Sequence, residues 1–73
     1  MNVTKLKIIA ENGKTLAYLY PGETDWLDPY GGYFTDEEQA QFGTVARGHE
    51  QVVHLGAGTK FSKHVAVRFA VEF

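Results

Sequence analysis

Apolar and polar positions alternate most regularly at the end of the chain, where Val65, Val67, Phe69, Val71 and Phe73 are separated by Ala66, Arg68, Ala70 and Glu72. A period of two held this long predicts a β-strand with one apolar face. Two shorter runs, 5–10 and 15–20, flank Glu11-Asn12-Gly13-Lys14. Asn-Gly favours the two-residue type I′ turn, so a hairpin is expected with Ile8 opposite Ala17 and Leu6 opposite Leu19 on its core face. The other face then sets Lys5, Lys7 and Ile9 against Tyr20, Tyr18 and Leu16, with ammonium groups over tyrosine rings. Residues 51–55 read as a further strand, followed by a Gly56-Ala57-Gly58-Thr59 turn.

Between the hairpin and that strand the pattern changes twice. Pro21-Gly22 ends the second strand, and Asp28-Pro29 with Gly31-Gly32 argues against regular structure from Glu23 to Phe34. Thr35-Asp36-Glu37-Glu38 is a helix start, with Thr35 as cap, Glu38 reciprocating, and the acids complementing the helix dipole. Gly43 offers a stop, with extension through Arg47 if a glycine is accommodated inside the helix. The helix face bearing Ala40, together with Leu6, Ile8, Leu19 and Val53, is expected to cover the last strand. The prediction is one α+β domain over residues 1–73, a mostly antiparallel sheet of about four strands with one short helix. A small, partly open β-barrel is the alternative.

Charge adds a feature that the periodicity does not show. Between Thr15 and Ala46 lie six acids (Glu23, Asp25, Asp28, Asp36, Glu37 and Glu38) and no lysine or arginine, so the net −2 divides into a middle near −6 and flanks near +4. Tyr18, Tyr20, Trp26, Tyr30, Tyr33, Phe34 and Phe42 share that stretch. Carboxylates that steer and rings that anchor suit docking on a basic partner. The candidate contacts are Asp25, Trp26, Asp28, Tyr30, Tyr33, Glu37 and Glu38, with the hairpin face of Lys5, Lys7, Tyr18 and Tyr20 as a second contact. A sheet edge offers a further site, where a partner's strand could pair. Trp26 is open to two readings, as an anchor or as a cap on the core.

The remaining chemistry is thin. The chain has no cysteine, which removes disulfides and thiolate sites and fits a reducing cytoplasm. No apolar run is long enough for a membrane span or a secretory signal. His49-Glu50-Gln51-Val52-Val53-His54 misses the zinc-protease spacing by one residue, and Gly56-Ala57-Gly58-Thr59-Lys60 inverts the order of a phosphate loop, so no metal and no cofactor is expected. Ser62 and His64 lack an oxyanion-hole segment, and a small core leaves little room for a pocket of roughly 300 Å³, so no enzyme is expected. Lys5, Lys7, Lys14, Lys60, Lys63, His64 and Arg68 with Phe61 or Tyr18 could serve a nucleic acid, against which stands a pI near 5.8.

Taken whole, from Met1-Asn2-Val3-Thr4-Lys5-Leu6-Lys7 through the acidic aromatic middle, the chain resembles the small host-takeover proteins of lytic bacteriophages. Within them it is similar to the class of RNA-polymerase-binding transcription regulators known from a Xanthomonas phage. The resemblance implies a non-enzymatic protein in the bacterial cytoplasm. It would bind a polymerase subunit, in that class near the start of β′, inhibiting promoter recognition and promoting read-through of terminators. It transfers no functional residue. The other readings are a nucleic-acid-binding module and a DNA-mimicking inhibitor of a bacterial defence enzyme that uses Asp36, Glu37 and Glu38.

Overall fold

A computed structural model describes residues 2–49 and 51–73. Five elements follow in order: β1 (Lys5–Ala10), β2 (Thr15–Leu19), α1 (Asp36–Ala46), β3 (Val52–Leu55) and β4 (Lys63–Glu72). The strands form one antiparallel sheet in the order β2-β1-β4-β3, curled into a half-barrel with the helix against it. The α+β expectation is met, and the curl brings in part of the barrel alternative.

The hairpin keeps its expected core pairs by a different route. Leu6 faces Leu19 and Ile8 faces Ala17, yet Ile9 faces Thr15, so Leu16 is an extra residue on β2. At the turn the Gly13 N–H donates to the Ala10 carbonyl and the Ala10 N–H to that of Lys14. Gly13 alone of the turn residues has positive φ, at 87°. A type I′ turn needs positive φ at both central residues, so this is a three-residue turn closed by a glycine bulge. That turn shifts the pairing by one residue, and the bulge at Leu16 shifts it back. Without the second shift every side chain of β2 would change face.

The helix begins as predicted. Thr35 accepts from the Glu38 N–H and the Glu38 carboxylate accepts from the Thr35 N–H. It runs through Gly43 and ends one turn later, where Gly48 takes positive φ. The Gly48 N–H donates to Val45 and the His49 N–H to Thr44, which satisfies the last carbonyls. A methyl added at Gly43 would meet only the Arg47 guanidinium, at 3.5 Å. Gly43→Ala is therefore expected to stabilise the protein by about 0.5–1 kcal/mol, the helix propensity difference. Thermal denaturation should show a rise of roughly 2–8 °C for a domain of this size.

The core is Ile8, Ala17, Trp26, Phe42, Val45, Val53 and Val67. Ala40 is exposed, so the helix faces the sheet with Phe42 and Val45 instead. It also covers less of β4 than expected. Eleven helical residues span ~16 Å, against ~33 Å for ten strand residues. Val67 is consequently buried, while Phe69, Val71 and Phe73 are 36%, 38% and 66% exposed.

Two glutamines tie the helix to both sides of the sheet. The Gln41 amide accepts from the His54 N–H and donates to the His54 carbonyl, pairing with the outer edge of β3 as a neighbouring strand would. The Gln39 amide does the same with the backbone of Trp26. Trp26 adjoins Leu27, whose N–H and carbonyl pair with Tyr18 on the outer edge of β2. Residues two apart on a helix point about 200° apart, which is why one helix can reach both edges.

Candidate partner-binding surface

The acidic segment is fixed from beneath and displayed from above. Trp26, 5% exposed, packs on Phe42 at 5.9 Å between ring centres, and Phe34 meets Phe42 edge-on at 4.7 Å. Its backbone is gripped by Gln39 and Leu27 is paired to Tyr18, so residues 26–27 are held at both main chain and side chain. Trp26 thus belongs to the core and is not an anchor.

From this base the chain turns outward. Asp28 accepts from the Tyr30 N–H with its carboxylate and from the Gly31 N–H with its carbonyl, and Gly31 takes φ of 84°. A Cβ on Gly32 would fall 2.6 Å from the Asp28 carboxylate, so any larger residue there would have to displace that carboxylate. The turn leaves Tyr30 79% and Tyr33 99% exposed. Asp28 is half-buried and serves its own loop, which leaves Asp25, Asp36 and Glu37 as the outward carboxylates. Among the described residues the one ion pair is Lys7–Glu72, so the acidic segment is not neutralised by the protein's own cations.

Glu38 does not steer partners. It is buried, with Oε1 accepting from the Thr35 N–H and Oε2 from the Gly56 N–H, which ties the helix start to the β3–β4 loop. Burial by itself would raise its pKa. The bonds from the Thr35 and Gly56 backbones and from the Thr35 side chain outweigh that, and the carboxyl lies below its usual range. A depressed folded pKa contributes stability that is present above the unfolded pKa and drains as pH falls through the folded one. Glu38→Gln turns an amide N–H₂ toward one of two N–H donors. It is expected to cost about 1.5–3 kcal/mol at neutral pH and to flatten the acid limb of stability against pH, read by urea denaturation between pH 2 and 7.

The hairpin face joins this surface instead of forming a separate one. Tyr18 and Tyr20 meet edge-on at 5.6 Å, and the Lys5 ammonium sits 5.0 and 5.7 Å from their ring centres. Lys7 is engaged with Glu72, whose carboxyl is held below its usual range by that bond and by the ammonium charge. Tyr18 lines a hollow with Lys5, Lys7 and Pro29 on one side and a groove of about 460 Å³ with Asp25, Tyr33 and Asp36 on the other. The Tyr18–Leu27 bridge makes the two contiguous, a long-range pairing with no local sequence signal. The groove exceeds the size anticipated for any pocket, because the loop makes it and not the core.

Elsewhere the imidazoles of His54 and His64 stack at 4.2 Å across β3 and β4, with His54 also bonded to Ser62. Glu50 of the 49–54 run lies outside the described residues. Among the described residues no three metal-ligating side chains converge, and no helix is long and apolar enough to cross a membrane. Comparison with known families, curated proteins and solved structures finds no match.

Proposed function

We propose that this chain is a non-enzymatic binding protein that docks on bacterial RNA polymerase and regulates host transcription, inhibiting initiation and promoting read-through. One observation carries the docking part: Tyr30 and Tyr33 stand outside a loop whose base is locked by Trp26 and Gln39. Exposed rings on a rigid base lose little freedom on binding, which favours affinity. The unpaired carboxylates of Asp25 and Asp36, which line one groove with Tyr33, and the exposed Glu37 at the same helix start favour a basic partner surface and fast, salt-sensitive association. Tyr30, by contrast, borders a hollow with Lys14 and Lys63. Polymerase as that partner rests on the resemblance of the whole chain.

The test is retention of purified polymerase, and of polymerase from bacterial lysate, on the immobilised protein at increasing salt. Subunits retained at low salt and released as salt rises support the reading. No retention of purified polymerase at low salt refutes it.

A further inference from the structure

Two of the sheet's edges are covered, β2 by Leu27 and β3 by Gln41. The far half of β4 has a third. β3 pairs with residues 63–66 of β4, and the last bond on its side runs from the Val67 N–H to the Gln51 carbonyl, at 2.9 Å. Backbone groups alternate sides along a strand, so the N–H and carbonyl groups of Phe69, Val71 and Phe73 point into the lane that β3 vacates. Among the described residues no strand enters that lane. These are also the side chains left half-exposed where the helix falls short. The edge has no proline and no inward charge, the usual devices against pairing.

We propose that this edge pairs with the same edge of a second copy, antiparallel, about a two-fold axis through Val71. Val71 then lies opposite Val71 of the second copy, and Phe69 opposite Phe73. Their apolar faces coincide because antiparallel partners share a face. On the other face Arg68 sits one diagonal step from Glu72 of the second copy, twice by symmetry. Opposite charges thus fall where the register needs them, and the strand is complementary to itself in backbone, apolar face and charge. The product is a continuous six-stranded sheet, β2-β1-β4-β4-β1-β2, with each β3 collinear with the incoming strand.

A contact this small implies dissociation in the micromolar range or weaker. Sedimentation velocity from about 5 to 500 µM should therefore show wild-type mass moving from one chain toward two. Val71→Lys places ammonium groups face to face at the axis and is expected to stay monomeric throughout, with an unchanged circular dichroism spectrum. Arg68→Glu, an exposed position that cannot unfold the core, should weaken association at least tenfold by opposing Glu72. Wild type that remains monomeric at the highest concentration overturns the proposal, as does Val71→Lys that associates like wild type. Monomeric wild type whose Val71→Lys variant loses polymerase retention assigns the edge to another protein's strand, which also overturns it. Retention unaffected by Val71→Lys, alongside a monomeric variant, is the expected result, because the acidic surface lies elsewhere.

Discussion

Trp26→Ala should unfold much of the population at physiological temperature, although Trp26 sits in the segment that carries the proposed docking surface. Removing a buried Trp costs about 3–5 kcal/mol, from lost burial and the cavity left behind. A chain of this length has roughly 4–11 kcal/mol in total. The cost is concentrated because Trp26 packs on Phe42, the largest fully buried side chain, and because its backbone is the platform that Gln39 grips. Loosening it frees Leu27 from Tyr18 and exposes the outer edge of β2. Thermal denaturation should show a fall of more than about 12 °C. Any loss of partner binding in this variant would then track the unfolded fraction and would recover on cooling or with a stabilising Gly43→Ala background. A Trp26→Ala protein that melts like wild type would remove Trp26 from the core and return it to the interface.

The fold was legible wherever the signal was local. The alternation of β4, the hairpin's apolar pairs and the Thr35–Glu38 capping box each depend on residues close in sequence, and each stands as expected. The turn departs from the type I′ expectation because Asn-Gly serves both the two-residue turn and the three-residue turn with a glycine bulge. Only the compensating extra residue at Leu16 separates them, and nothing in the sequence marks it. The roles of Trp26 and Glu38 depend on partners far along the chain. A tryptophan among acids reads as an anchor until Phe42 is seen beneath it, and Glu38 reads as surface charge until Gly56 is seen to donate to it. The two glutamines carried no signal at all. Gln39 and Gln41 look like ordinary exposed helix residues, and their use as substitutes for neighbouring strands exists only once the sheet has curled. The exposed part of the candidate surface is the part that needs no distant partner, namely the tyrosines and the outward acids.

The paired replacement Tyr30→Ala/Tyr33→Ala should therefore separate binding from folding. Neither ring contributes to the core, and both are mostly or wholly in solvent, so stability should stay within about 0.5 kcal/mol of wild type. If these rings fill pockets on polymerase, truncation of anchors of this kind costs about 2 kcal/mol or more, which is a loss of roughly thirtyfold or greater in affinity. The loss should lie mainly in the dissociation rate, since ring contacts form late in the encounter. Neutralising Asp25, Asp36 and Glu37 to Asn or Gln should act on the other phase, slowing association several-fold at low salt and little at high salt. Surface plasmon resonance against purified polymerase at two ionic strengths resolves the two phases. A DNA-mimicking surface would give the reverse order, with the charge variant nearly inactive and the tyrosine variant nearly intact. Full binding by both variants would leave the acidic aromatic segment without a role in docking.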